Sequence, residues 1–253
     1  MRTMSNTSRA LRMVVCILLI AVLSPPALLA MLLCLPSRRL RIHIGIGYGH
    51  VLGLAMARTL GFRFDVKGRD RLRSQMPAIF VLNHTSSLDL LLGLAIVPFG
   101  ACSVAKKEIA LIPLFGQAYL LSGHLLIDRR RQDKAHAAMD KIAVVMRRLS
   151  LGAWIWAEGT RSRDGRLLPF KKGFVHLALA TRLPVVPVII YDAPARWPAR
   201  NYDLRPGTLV VEVLEPIPTD DWRPETVAEH AEAVHAVFAE HLPPHQRPLV
   251  PGP

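Results

Sequence analysis

Between Met13 and Leu35 the chain carries no charged residue, and no other feature limits its fold so tightly. As a straight helix the run reaches ~35 Å at about 1.5 Å per residue, enough for a hydrocarbon core of about 30 Å. Pro25 and Pro26 lie near its middle. Proline lacks the helical N–H and crowds the preceding turn, so the sequence predicts a kink or break there. A cleavable leader is the competing reading. Ala27 and Ala30 are separated by Leu28 and Leu29, so the small-residue cleavage pattern is missing, and the apolar run continues beyond it. Arg2, Arg9 and Arg12 precede the run, and Arg38, Arg39 and Arg41 follow it. Equal positive charge on both sides gives no orientation bias. It suits a broken helix that enters one leaflet and returns, with both ends held at anionic headgroups.

A softer apolar stretch follows from Ile42 to Ala57, with Gly45, Gly49, Gly53 and Ala57 recurring at one helical face. A glycine in a helix costs about 1 kcal/mol relative to alanine, so a ridge of them implies a close approach. The pattern predicts a second membrane helix packed on the first. Residues 1–60 therefore read as a membrane-docking helical module. Residues 61–242 read as one domain, and 243–253, with five prolines, as a disordered tail.

Short apolar runs bounded by Gly, Pro or polar residues predict strands at Arg63–Lys67, Ala78–Leu82, Ala101–Ala105, Ala153–Trp156, Val185–Tyr191 and Leu209–Leu214. Helical periodicity separates several of them, best seen from Ala135 through Ile142 to Leu149. Leu90–Val97 is too short to cross a bilayer and reads as a buried helix. Val227, Ala231, Val234 and Phe238 mark the apolar face of a last helix. The fold class is α/β, a mostly parallel or mixed sheet flanked by helices.

The net charge of +13 and pI near 10.5 imply an anionic partner. Aromatics make up 6% and do not interleave with the basic residues, which argues against nucleic acid and for phosphate or anionic lipid. Mean hydropathy is +0.28, high for a soluble chain and low for a multi-span one. Cys16, Cys34 and Cys102 are scattered and form neither a disulfide framework nor a zinc spacing, which fits a reducing compartment. None of the histidines has the partners of a metal site at helical spacing.

The strand-like Ala78–Leu82 run leads directly into Asn83-His84-Thr85-Ser86-Ser87-Leu88-Asp89. That places a histidine able to take a hydroxyl proton near a carboxylate able to orient its ring and stabilise its cation. Further segments are Gly123-His124-Leu125-Leu126-Ile127-Asp128-Arg129, Trp156-Ala157-Glu158-Gly159-Thr160-Arg161-Ser162 and Leu183-Pro184-Val185-Val186-Pro187-Val188. Lys106-Lys107-Glu108 and Pro169-Phe170-Lys171-Lys172-Gly173 accompany them. In this order they resemble the lysophosphatidic acid acyltransferases of the glycerolipid acyltransferase superfamily, from about residue 62 to 215. Leu126 stands where that family usually has Phe, and Ala157 where it has Pro. His124 falls at a position the family pattern leaves open.

The resemblance implies transfer of a fatty acyl group from acyl-CoA or acyl-carrier protein, a co-substrate in place of any cofactor, to a lysophospholipid hydroxyl. His84 is then the base and Asp89 its orienter. Arg161 is the first choice for the acceptor phosphate, since guanidinium offers it a planar fork, with Arg129 and Lys106 after it. Glu158 either binds the glycerol hydroxyl or holds the arginine. Backbone amides around Gly159 and Thr160 are candidates for the oxyanion. Ser86 and Ser87 lie outside any Gly-x-Ser-x-Gly elbow and read as loop or capping residues. Lys171 and Lys172 face either headgroups or the phosphates of CoA. Membrane phospholipids are the expected surface, with the catalytic domain on the cytoplasmic face. Glycerol-3-phosphate or a lyso-ornithine lipid is the alternative acceptor. A lipid hydrolase or a non-catalytic membrane-tethered binding protein is the alternative class.

Overall fold

The structure is a computed structural model that describes residues 5–127, 135–199 and 202–249. Helix α1 (Asn6–Leu33) is capped by Ser5, whose hydroxyl accepts Ser8 N–H. It runs unbroken through Pro25 and Pro26, which corrects the expected interruption. Each proline removes one N–H donor, but its fixed φ is itself helical. The neighbouring Ser24 is fully buried and shares a 2.7 Å hydrogen bond with Tyr48, pinning this turn to the next helix. That helix, α2 (Arg38–Leu60), starts at the Ser37 cap and stops at Gly61, whose φ of +84° few other residues tolerate.

The glycine ridge of α2 does not face α1. A methyl group on Gly53 would stand 2.7 Å from Leu94 Cβ and 2.9 Å from Ala95 N, and one on Gly45 would stand 2.6 Å from Ser122 Cβ. The ridge therefore seats α2 on the backbone around Leu94 and on Ser122. Four of the flanking arginines bond to the protein's own carbonyls rather than being left for headgroups. Arg9 donates to Tyr202 O, Arg12 to Thr59 O, Arg38 to Gly123 O and Arg41 to Leu121 O.

After α2 come β1 (Phe62–Lys67), α3 (Arg71–Ser74), β2 (Ile79–Leu82), α4 (Leu88–Ile96) and β3 (Ala101–Lys106). Then follow α5 (Phe115–Ser122), β4 (Leu125–Ile127), α6 (Ala135–Leu149), β5 (Gly152–Trp156) and α7 (Gly173–Thr181). The chain continues through β6 (Val185–Ile190), α8 (Ala193–Arg196), β7 (Gly207–Val213) and α9 (Val227–His241). The strands form one seven-stranded sheet in the order β1-β7-β6-β2-β5-β3-β4. All neighbours are parallel except β6 and β7, so the sheet is mixed. Every residue of β2 and β6 is buried, as their continuous apolar sequences require when helices cover both faces. The largest core side chains include Trp154, Phe80 and Phe174.

Residues 243–249 are not a free tail. Gln246 is 2% exposed, its carbonyl accepts Leu167 N–H and its side-chain oxygen accepts Asp192 N–H. Prolines that bar regular structure here still leave side chains and carbonyls able to dock.

Candidate active site

Strand β2 lies between β5 and β6, both parallel to it, so the loop after its C-terminal end opens where such sheets bind ligands. Asn83 continues the ladder with its side chain, donating to Ile190 O at 2.9 Å and accepting Ile190 N–H at 2.8 Å. This pins the start of the loop. Asp89, in the first turn of α4, is fully buried and gathers the rest. Its Oδ2 accepts the N–H groups of Thr85 and Ser86 and lies 2.8 Å from His84 Nδ1. Three donors therefore converge on this one oxygen beside the N-terminus of α4. The bond to Nδ1 fixes the imidazole tautomer and leaves Nε2 as the proton acceptor. The ring stacks on Trp156, centroids 4.7 Å apart.

The 157–172 segment holds the same loop from the other side. Glu158 Oε1 accepts His84 N–H, and Ser162 N–H donates to His84 O at 2.9 Å. Glu158 Oε2 accepts Leu168 N–H at 3.0 Å, and Lys171 N–H donates to Ala157 O. Glu158 is 1% exposed. Burial pushes its carboxyl up to about 8 against the pull of the two N–H donors, with the Asp89 charge adding to the rise. Glu158 thus braces the His84 backbone and is not among the residues that border the cavity; its two hydrogen bonds, to the backbone N–H groups of His84 and Leu168, are neither to the arginine nor to a group in the cavity. Gly159 is likewise part of the turn. Its φ is +72°, and its N–H donates to Trp156 O, so that amide is not directed at an oxyanion.

A cavity of about 780 Å³ opens beside His84. Lys106, Thr160, Arg161 and Arg163 border it, and Arg161 donates to Ser87 Oγ at 2.8 Å. The cavity's walls include Leu90, Leu94, Val97, Ile109 and Phe115, together with Ile46 and Tyr48 from α2. Ser86 donates to Trp197 O and accepts Leu88 N–H, which makes it a loop residue as expected rather than a nucleophile. Lys171 and Lys172 are exposed and do not border the cavity. Arg129 lies outside the described residues.

Sequence reasoning missed Asn83 as a strand-end clamp, Trp156 as the platform for His84, Arg163 at the cavity and α2 as one of its walls. The glycine ridge was the signal for the last, since it marked a close approach, though not the partner. Among the described residues no cluster of three His, Cys, Asp or Glu side chains is placed to hold a metal.

The histidine–carboxylate pair thus opens on a largely apolar cavity edged by cations. The acyltransferase family pattern matches residues 63–191, and the chain belongs to that family. It is 41% identical over 220 residues to a 1-acyl-sn-glycerol-3-phosphate acyltransferase of Cocos nucifera, covering 87% of this chain and 71% of that one. It is 32% identical over 209 residues to the enzyme of that name from Escherichia coli (strain K12), covering 83% and 84%. Its fold is that of the 1-acyl-sn-glycerophosphate (LPA) acyltransferase of Thermotoga maritima, with a TM-score of 0.70 at 23% identity over 91% of this chain and 94% of that one.

Proposed function

We propose that this chain transfers a fatty acyl group from acyl-CoA or acyl-carrier protein to the sn-2 hydroxyl of 1-acylglycerol-3-phosphate, giving phosphatidic acid. The observation that carries the reading is the His84–Asp89 pair opening on a cavity with cations at its rim and apolar walls. The lysolipid hydroxyl gives its proton to His84 Nε2 and attacks the thioester carbonyl. Asp89 balances the imidazolium. The tetrahedral intermediate collapses, and the thiolate leaves with the proton from His84. Arg161, held by Ser87, pairs with the acceptor phosphate, and Lys106 adds charge beside it.

We place the enzyme on the cytoplasmic face of a phospholipid membrane. Helix α1 is long and apolar enough to cross one, with a mean hydropathy of 2.6 over its best window, 11% of which is buried. Its exposed apolar residues and the wall supplied by α2 support entry of a lipid chain from the side.

The test is purified protein with labelled acyl-CoA or acyl-carrier protein and a panel of lyso-acceptors. Phosphatidic acid from lysophosphatidate supports the reading. Free fatty acid formed without acceptor supports a hydrolase instead.

A further inference from the structure

His124 lies far from the His84 end of the cavity it shares. The sheet order β2-β5-β3-β4 sets it sideways from His84, because its Nδ1 accepts Ser103 N–H at 3.3 Å. Ser103 is level with Trp154, and Trp154 with Phe80, so His124 also sits below the C-terminal end of β2. With strands about 4.8 Å apart and about 3.3 Å per residue along them, the two histidines stand roughly 15–20 Å apart. Apolar side chains, among them Leu90, Leu94 and Phe115, line the space they share.

The far end is polar, and its hydrogen bonds can be followed. Tyr119 OH donates to Ser103 O at 2.9 Å, and Ser122 Oγ donates to Tyr119 O at 2.6 Å. His124 Nδ1 is an acceptor, so the ring proton resides on Nε2. Burial, helped by the Arg38 guanidinium, pushes the His124 pKa down to about 4, so the ring is neutral at physiological pH. Nε2–H has no acceptor among the described residues and is not sealed from the cavity. Gly45 of α2 leaves it room: a methyl there would stand 3.6 Å from Nε2.

We infer that His124 is a specificity-determining residue for the acyl chain held in this cavity. It disfavours an unsubstituted chain long enough to cover Nε2–H and favours a chain that carries an acceptor oxygen, such as a hydroxyl, at that depth. This rests on the acyl-transfer reading. A shorter chain leaves water on Nε2–H. A plain chain that reaches the ring removes that water and returns no hydrogen bond, whereas a hydroxyl replaces it.

The cavity can receive the chain of the donor or the sn-1 chain of the acceptor, and two series separate them. Acyl-CoA thioesters of increasing length are offered with one lysophosphatidate, and lysophosphatidates of increasing chain length with one acyl-CoA. Each series is run plain and terminally hydroxylated on the wild-type protein, His124→Phe and His124→Asn. In one series the wild-type kcat/KM should fall roughly tenfold or more once the chain reaches His124, and the hydroxyl should restore it. His124→Phe should flatten both effects, and His124→Asn should keep part of the hydroxyl preference. No difference between plain and hydroxylated chains in the wild-type protein overturns the inference, whether or not the Phe variant folds. So does a fall that His124→Phe leaves unchanged. Absence of short-chain turnover in the wild-type protein overturns the acyl-transfer reading itself, and this inference with it.

Discussion

In the proposed mechanism His84 acts through Nε2 only while Asp89 holds Nδ1, so the two residues should fail together. His84→Ala should lower kcat by roughly 10²–10⁴-fold without unfolding the protein, because the side chain borders the cavity and lies outside the buried core. Asp89→Asn should also lose most activity, since an amide cannot balance an imidazolium. Near-normal turnover in either variant, with an unchanged circular dichroism spectrum, would remove the dyad. Arg161→Ala should raise KM for lysophosphatidate about 10- to 100-fold through loss of a charge-assisted contact. A larger change in the donor KM reassigns it. Glu158 makes a pH prediction. Its carboxyl is raised to about 8 in the folded protein, so the folded chain keeps a proton that the unfolded chain has released. The stability this supplies is complete below about 4.5, the ordinary value, and is lost as pH rises through about 8. A hydroxyl oxygen can still accept the N–H groups of His84 and Leu168, but an amide nitrogen cannot. Glu158→Gln should therefore remove this slope while lowering stability by about 1–3 kcal/mol. Denaturation at a series of pH values measures both effects.

Among the elements, the long strands and helices were legible because their periodicity is strong, and the central strands came out within a residue or two of their bounds. Strand β4 was not, since Leu125–Ile127 is too short to carry a pattern and exists through its pairing with β3. In the site, His84, Asp89 and Arg161 were legible as chemistry-bearing types in a specific order. The bracing role of Glu158 was not, because it depends on amides at His84 and Leu168 that only the fold brings together. The glycine ridge gives the sharpest element-level test. Gly47 has nothing within 4 Å of an added methyl, whereas Gly53 meets the backbone of α4 at 2.9 Å. Gly47→Ala should stabilise the protein by up to about 1 kcal/mol through helix propensity. Gly53→Ala should destabilise it by about 1–3 kcal/mol through overpacking, and should lower activity as α2 lifts from the cavity. Equal thermal shifts in the two variants would show that the ridge is not a packing surface.

At the scale of the whole molecule, both ends of the N-terminal helical pair are tied to the same domain. Arg9, near the start of α1, bonds Tyr202 O, while Arg38 and Arg41, just beyond its end, bond Gly123 O and Leu121 O. We propose that a helix of about 40 Å, fastened near both ends to one domain, lies along that domain instead of carrying its far end across a bilayer. Leu11, Leu18, Val22, Leu29 and Leu33 are all more than half exposed, and their spacing places them on one face of α1. That stripe is the surface we expect to enter a single leaflet, and the flanking arginines serve as clamps to the protein. Replacing Leu18 and Val22 together by Glu should abolish sedimentation with phosphatidylglycerol-containing vesicles, yet leave thermal stability within about 0.5 kcal/mol, because neither side chain is in the core. Topology is read separately, by cysteine labelling in a background with Cys16, Cys34 and Cys102 replaced. Single cysteines at Ser5 and Ser37 should both react with an impermeant reagent from the cytoplasmic side. Reaction from opposite sides would mean that α1 spans the membrane and that the Arg9 and Arg38 contacts do not coexist in lipid, while the chemistry assigned to His84 and Asp89 would stand.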